Sequence, residues 1–231
     1  MIAVNTDIKA DRKIKPSETV AARRRRIGRR AGAAVAVLAF EILSGCGGAS
    51  RPIKYYQLTL PGAIAPATTT PRVPVTIVVR RLLTSTLYRD RRLVYSVGNQ
   101  QIGTYEYERW VGPPSELIQG VFLGELRASG HYSGVYTPEG KAGGDYALHG
   151  RLYEFAEHDS GSNLVARLTM DLELSDTQTG ATLWRRYYTH DEPVSAKNVP
   201  DVVAALDRNV QLAANDVAVG LEQYFAAHPV K

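Results

Sequence analysis

The residue with the most distinctive chemistry in this sequence is its single cysteine, Cys46. A lone thiol has no second cysteine in the chain with which to form a disulfide, so another role must explain it. Leu43, Ser44 and Gly45 precede the cysteine directly. A thiol in these surroundings can take a diacylglyceryl group, and its small neighbours let a peptidase reach the bond before it.

The segment before Cys46 has the order of features that is typical of a secretory signal. Six arginines lie between positions 23 and 30, and a mostly apolar stretch follows from Ala31 to Leu43. This stretch is shorter than the ~20 residues that a helix needs to span a bilayer. Leu43-Ser44-Gly45-Cys46 fits the lipobox of bacterial lipoproteins. We therefore predict that residues 1–45 are a lipoprotein signal peptide and that Cys46 becomes an acylated, palmitate-bearing first residue.

Removal of residues 1–45 changes the charge balance of the chain. That segment holds 10 of the 28 basic and 4 of the 23 acidic residues, so 18 basic and 19 acidic residues remain. The formal net charge falls from +5 to about −1, and no basic stripe is left to bind nucleic acid. The expected division is a signal peptide at 1–45, a lipidated tether at 46–52 and one folded domain at 53–231.

The other residues that could carry out chemistry do not form a catalytic or metal-binding pattern. The five histidines lack metal-ligand spacing, and the Gly-x-Ser-x-Gly motif of hydrolases is absent. Two carboxylate pairs, Glu106 with Glu108 and Asp171 with Glu173, share a strand face at i, i+2 spacing. A solvated face explains these pairs better than a general acid and base. The sequence predicts no enzyme activity, no metal and no cofactor.

Alternating and β-prone residues predict the strands that must position these groups. In Asn163–Leu174 the leucines, Ala166 and Met170 face one way. The other side carries Val165, Arg167, Thr169, Asp171 and Glu173, which is typical of an antiparallel strand with one solvated side. Gly98-Asn99 predicts the turn of a β-hairpin. Further strands are predicted at Ile53–Leu60, Val73–Val79, Tyr146–Phe155 and Leu183–His190, with a loop at Pro61–Pro74.

Two helices complete the predicted fold. Pro113-Pro114-Ser115-Glu116 is a helix-start signal, and Gly130 ends the apolar pattern that follows it. After Pro200, apolar residues recur every three or four positions as far as Tyr224. The sequence therefore predicts an α+β domain in which two helices pack on one face of a largely antiparallel sheet.

Aromatic residues alternate along two of the predicted strands. Such residues either pack a core or a neighbouring strand, or form an exposed patch for a partner, because Tyr and Trp are favoured at interfaces. Asp90 and the arginines around it either brace the hairpin through ion pairs or contact a partner subunit. The candidate interface residues are Tyr55, Tyr56, Asp90, Arg91, Tyr105, Tyr107 and Trp110.

Five stretches, in the same order, resemble the blocks of one known family. They are KYYQLTLP, LYRDRRLVY, YERWVGPPSELIQGVFLGEL, the meander from DYALHGRLYEF to LWRRYYT, and VVAALDRNVQLAANDVAVGL. The family is that of the PqiC-like ABC-type transport auxiliary lipoproteins, and the likeness covers nearly the whole mature chain. The sequence departs from the pattern at Arg92, where proline is more common, and at Val111-Gly112-Pro113, where Ala-Glu-Pro is typical.

The resemblance implies an accessory subunit of an MCE-type ABC transport system that moves phospholipids or other apolar molecules between two membranes. The implied partners are an MCE-domain protein and the ABC permease and ATPase, and the sequence leaves open whether the chain also forms a homo-oligomer. Gly47 stands where aspartate would retain a Gram-negative lipoprotein, so we expect an outer-membrane anchor and a domain that faces the periplasm. Acyl chains make such attachment stable.

Two other functions remain open at this point. A free-standing lipid-binding lipoprotein would hold its lipid in a groove between sheet and helices, lined by the leucine face of Asn163–Leu174. A lipid-anchored enzyme would depend on a residue such as Glu106 or His149.

Overall fold

The computed structural model of the chain describes residues 51–61, 72–98, 100–140 and 143–230. These residues form nine β-strands in one sheet and two α-helices, which confirms the predicted α+β class. The strands are β1 (Lys54–Tyr56), β2 (Val73–Val79), β3 (Leu83–Thr84), β4 (Arg92–Val97), β5 (Gln101–Trp110), β6 (Tyr132–Tyr136), β7 (Tyr146–Asp159), β8 (Leu164–Asp176) and β9 (Thr182–Pro193). The helices are α1 (Pro114–Ala128) and α2 (Val199–Ala227).

An antiparallel meander of β7, β8 and β9 forms the longest part of the sheet. Ala166, Leu168 and Leu172 of β8 are fully buried, whereas Arg167 and Asp171 lie on the opposite face. The core face predicted for β8 is confirmed, whereas Val165 and Thr169, predicted on the solvated side, are also buried. Side chains of successive strand residues point to opposite faces, so one face of the meander packs in the core and the other faces outward.

The other edge of β7 is shared by three short strands that follow one another along it. β2 pairs in parallel with residues 146–148, β3 with 151–152 and β4 with 157–159. β6 is added to β2, while β5 and then β1 are added to β4. The sheet is therefore mixed: its long ladders are antiparallel, and beyond β7 it divides into two arms.

Both helices pack on the buried face of the sheet and against each other. α1 begins at Pro114, whose missing N–H would have no partner in a first turn, and ends two residues before Gly130. The Asn198 side chain caps α2 by accepting a hydrogen bond of 3.0 Å from the Asp201 N–H. The buried residues of α2 keep helical spacing and include Val202, Leu206, Val210, Ala213, Val217 and Leu221.

One buried polar side chain, Asn209, fixes the position of α2 on the sheet. Its Nδ2 group donates to the carbonyl oxygens of Ala166 in β8, at 3.0 Å, and His190 in β9, at 2.9 Å. Its Oδ1 accepts a 3.1 Å hydrogen bond from the Tyr188 hydroxyl. Asn209 is fully buried, so these bonds satisfy a polar group that has no access to water.

The free energy of unfolding of the Asn209→Leu variant is expected to fall by about 2 kcal/mol. The substitution leaves the carbonyl groups of Ala166 and His190 without their hydrogen-bond donor. Urea denaturation followed by circular dichroism measures this loss. Tyr188→Phe removes only the hydroxyl that donates to Asn209 and leaves the Asn209 amide bonded to the two strand carbonyls. Its expected loss of unfolding free energy is about 1 kcal/mol. Equal losses in the two variants would show that the hydrogen bonds from Asn209 to the carbonyls of Ala166 and His190 contribute nothing to stability.

The segment after β1 is held by α2 rather than by another strand. The Thr59 N–H and hydroxyl donate to the two carboxylate oxygens of Asp207 at 2.8 and 2.7 Å, and Gln211 Nε2 donates to the Thr59 carbonyl at 2.7 Å. The predicted strand Ile53–Leu60 is therefore too long. It ends at Tyr56 because the polar groups that follow bond to helix side chains.

The β4–β5 hairpin is confirmed, and Gly98 at its turn has a φ of 59°, a conformation that favours glycine. β6 was not predicted, because Ser133 and Gly134 within it have low β-propensity. It forms where β2 offers a parallel partner. Most of the predicted loop at Pro61–Pro74 lies outside the described residues, and β2 begins at Val73.

Candidate partner interface

The predicted lipidation site, Leu43-Ser44-Gly45-Cys46, lies outside the described residues. Across the described ranges, no helix combines the length and the apolar character that a membrane crossing requires. The interface residues predicted from the sequence all lie within the described part of the chain, on or beside β1, β4 and β5.

The aromatic residues of β1 point to two different faces. β1 lies parallel to β5, with Tyr55 opposite Arg109 and Tyr56 opposite Trp110. Because adjacent strand residues alternate between faces, Tyr56 turns toward the buried side with Trp110 and Tyr55 turns away. Tyr55 is 54% exposed, so its ring is accessible to a partner.

Trp110 is a core residue and not part of an exposed patch. It is 1% exposed, and its ring centroid lies 5.3 Å from that of Phe155 in β7. Its backbone N–H donates to the Arg91 carbonyl at 2.6 Å. The side chain of this candidate interface residue therefore cannot contact a partner, and the core-packing alternative describes it.

Tyr56 and Tyr105 each donate a hydrogen bond to a buried carboxylate. The Tyr56 hydroxyl lies 2.7 Å from Oε2 of Glu108, and the Tyr105 hydroxyl lies 2.5 Å from Oε2 of Glu157. Lys54 Nζ lies 3.5 Å from the other oxygen of Glu108. These contacts join β1 to β5 and β5 to β7, so both tyrosines stabilise this arm of the sheet.

The pKa values of the two tyrosines agree with that donor role. Burial and then the hydrogen bond to Glu108 raise the pKa of Tyr56 to about 12, and burial followed by the bond to Glu157 raises that of Tyr105. Both phenols stay protonated at neutral pH.

Glu108 was expected on a solvated face with Glu106, but Glu106 is exposed and Glu108 is buried. The irregular pairing of β5 with β4 changes which face these residues take.

Asp90 and Arg91 lie exposed at the start of β4. The Asp90 carboxylate accepts a 2.6 Å hydrogen bond from the Arg91 N–H and lies 3.4 Å from Nε of Arg92. The bracing ion pair considered from the sequence is therefore present, although an exposed pair of this kind contributes little stability. Both side chains remain accessible, while Tyr107 in β5 is half-buried.

A cavity of about 500 Å³ opens on the sheet face that the helices leave free. A 3₁₀ turn at Thr86–Tyr88 and the β4–β5 hairpin line one side, and β7 and β8 line the other. The lining combines apolar with ionisable side chains, among them Leu87, Val94, Ile102, Glu154, His158 and Arg167.

Two polar side chains of the lining, Arg167 and His158, have hydrogen-bond partners. Nε and Nη2 of Arg167 donate to the two carboxylate oxygens of Asp191 at 2.6 and 2.7 Å. That contact lowers the pKa of Asp191 and raises the pKa of Arg167, so both groups stay charged. Nδ1 of His158 lies 2.8 Å from the hydroxyl of Ser96.

The other four histidines also have partners within the domain. His149 Nε2 lies 3.1 Å from the Ser175 hydroxyl, and the remaining three are near Glu192, Tyr224 or Glu222. Among the residues that the structure describes, no three His, Cys, Asp or Glu side chains are placed to hold a metal ion.

Tyr88 lies in the cavity wall, and its burial makes the free energy of unfolding decrease at alkaline pH. Burial raises its pKa to about 12, above its ordinary value near 10. Its contribution to the free energy of unfolding is complete below pH 10 and is lost as the pH rises through 12. Urea denaturation from pH 8 to 12 is expected to show a smaller alkaline loss in Tyr88→Phe than in the wild type. Parallel curves for the two proteins would contradict this role.

Sequence reasoning did not find the cavity, because its residues come from four separate segments and share no motif. The register of β7 shifts between Leu152 and Glu154, so Tyr153 is an extra residue in the ladder with β8. Such a bulge changes which side chains reach a face. Nothing in the local sequence marks its position.

Comparisons with known proteins place the fold in a known group. The family model described as ABC-type transport auxiliary lipoprotein component matches residues 56–218. The crystal structure of a Xanthomonas campestris protein assigned to DUF330 is 18% identical, with a TM-score of 0.64, and the match covers 73% of this chain and 94% of that one. A crystal structure of an uncharacterized protein is 14% identical, with a TM-score of 0.58 and coverage of 74% and 99%. At these identities the two structures show the fold alone. No curated protein matches the chain.

Proposed function

Because the chain belongs to the family of ABC-type transport auxiliary lipoprotein components, we propose that it is an outer-membrane-anchored accessory subunit of an MCE-type ABC transport system. The observation that carries the proposal is the family match over most of the folded domain. The cargo would be phospholipids or other apolar molecules, and the chain would act as an adaptor without catalysis of its own.

The proposed anchor is Cys46, which would carry the acyl chains, with residues 46–52 as the tether to the domain. Gly47 after the cysteine supports release to the outer membrane, so the domain would face the periplasm. Two or more acyl chains hold a protein stably at a membrane, whereas a single chain does so only marginally.

The proposed docking surface lies around β1 and the start of β4. Tyr55, Asp90 and Arg91 are exposed there, and Tyr is favoured at protein interfaces. Tyr56 and Tyr105 would support this surface from below, since their hydroxyls are bonded inside the domain. The partner would be the MCE-domain protein or a periplasmic part of the permease.

The alternative function, a free-standing lipid carrier, needs an open groove along the leucine face of β8. The leucine face of β8 is fully buried and packs under α2, so it forms part of a filled core. A lipid could not enter there unless α2 moved away from the sheet.

The proposal is tested by in-cell photo-crosslinking of the tagged, full-length lipoprotein and mass spectrometry of its products. A photoreactive residue at Tyr55 is expected to capture an MCE-domain protein or an ABC permease. The matched control is a photoreactive residue at Leu212 on the outer side of α2, which is similarly exposed (49% against 54%). Capture of only outer-membrane assembly proteins, or of nothing, would overturn the proposal.

A further inference from the structure

The cavity on the helix-free face lies beside two carboxylates, Asp191 and Glu154, which both act on a single guanidinium, Arg167. Arg167 donates two hydrogen bonds to Asp191, so its charge is shared between that carboxylate and Glu154. Glu154 also lines the cavity; its charge helps to raise the pKa of Arg167, but within the described ranges its carboxylate forms no ion pair as close as the one between Arg167 and Asp191. A partly buried carboxylate that lacks a close ion-pair partner of its own favours a positively charged occupant.

The walls of the cavity suit an aliphatic stem that ends in a cation. Leu87, Val94 and Ala156 supply apolar lining at the side of the charged groups. The large side chains of Ile102 and Tyr153 stand at the rim and are 60% and 49% exposed. An apolar and aromatic rim around a pocket is the usual setting of an anchoring side chain at a protein interface.

We propose that this cavity receives a lysine or arginine side chain of the partner protein, with the cationic group beside Glu154. The inference rests on the proposed function and deepens it by naming the chemistry of the partner's contact. Lysine and arginine have the required stem and charge, and arginine is enriched at interfaces. The 3₁₀ turn that lines the cavity leads directly to Asp90 and Arg91, so the cavity continues the proposed docking surface.

A phospholipid fits the cavity less well than a basic side chain. A phosphate that entered the cavity would meet the like charge of Glu154, and the Arg167 that could attract it is already bonded to Asp191. Lipid capture is therefore the competing outcome of the experiment.

The test places a photoreactive residue at Ile102 of the tagged, full-length lipoprotein in cells. We expect it to capture a peptide of an MCE-domain protein or permease with lysine or arginine at or beside the crosslinked position. The Glu154→Gln variant should reduce this yield about tenfold, because it removes the charge that pairs with the partner. Glu173→Gln is the matched control. The Glu173 carboxylate lies on the same face of the sheet as Glu154, but it forms an ion pair with Arg185 at 3.4 Å. We therefore expect an unchanged crosslinking yield in this variant.

The outcomes separate this inference from the proposed function. Charge reversal at Glu154, combined with reversal of the captured basic residue, should restore the crosslink. A yield that does not depend on Glu154, a captured peptide without a basic residue, or a captured lipid would overturn the inference. In those cases continued capture at Tyr55 would leave the proposed function standing. Failure to capture a transporter component at both positions would overturn both.

Discussion

The Cys46→Ala variant is expected to leave the membrane fraction almost completely, with membrane-bound protein reduced about a hundredfold. Each buried methylene of an acyl chain contributes about 0.8 kcal/mol to membrane binding, so loss of all chains removes most of the attachment. Cell fractionation followed by immunoblotting measures the change. Labelling with radioactive palmitate should also disappear, because the attachment begins with the thiol.

Two neighbouring substitutions separate loss of the thiol from a general disturbance of the signal. Gly47→Ala keeps a small residue after the cysteine and should keep both palmitate labelling and membrane attachment. Gly47→Asp should remain acylated but move to the inner membrane, since aspartate at this position retains Gram-negative lipoproteins. Membrane-bound Cys46→Ala protein would contradict the predicted lipid anchor.

A methyl group at Gly150 is expected to destabilise the domain by about 3 kcal/mol, or roughly 10 °C in Tm. Gly150 in β7 pairs with Leu172 in β8. A Cβ atom there would overlap the carbonyl oxygen of Asp171 and lie 3.0 Å from the Cα of Leu172. Both are backbone atoms of the longest ladder in the sheet, so β8 itself would have to move.

Thermal and urea unfolding of Gly150→Ala and Gly112→Ala make a matched comparison. A Cβ atom at Gly112 would lie 3.6 Å from a methyl carbon of Leu117, an ordinary contact. Its variant should therefore stay within about 0.5 kcal/mol of the wild type. Equal stability of the two variants would mean that the strands separate at Gly150 at little cost.

The parts of the fold that could be predicted are those in which a regular pattern repeats over many residues. β8 alternates along most of its length, and the buried positions of α2 keep helical spacing from Val202 to Phe225, so the element type and its core face follow from periodicity. The hairpin could be predicted because Gly98 marks its turn. These signals are local, and each one specifies both the element and the face that it buries.

The parallel pairings could not be predicted, because nothing local states which strand lies beside which. β3 has two residues and β1 has three, too few for a period to be visible. Both exist because β7 and β5 offer free edges to them. Their formation depends on tertiary contacts, which override the weak β-propensity of short segments.

The candidate interface was predicted in part. Tyr55, Asp90 and Arg91 are exposed as an interface requires, whereas Trp110 turned out to be a core residue. Alternation alone could not separate Tyr55 from Trp110, because the buried face of β5 becomes known only once its neighbours are known. Glu154 was not considered, since its exposure to the cavity follows from the bulge at Tyr153.

With the proposed lipid anchor and partner, the contacts of Thr59 with α2 would determine how the domain bears mechanical tension. A protein anchored at its N-terminus and held by a partner is pulled through the segment before β1 whenever the two attachment points move apart. β1 has three residue pairs with β5, so it should peel away first under force. The pull would then reach Thr59, where Asp207 and Gln211 transfer it to a helix of 29 residues. Under tension, the chain would thus extend by the few residues of β1, and the rest of the domain would then stay folded as a unit.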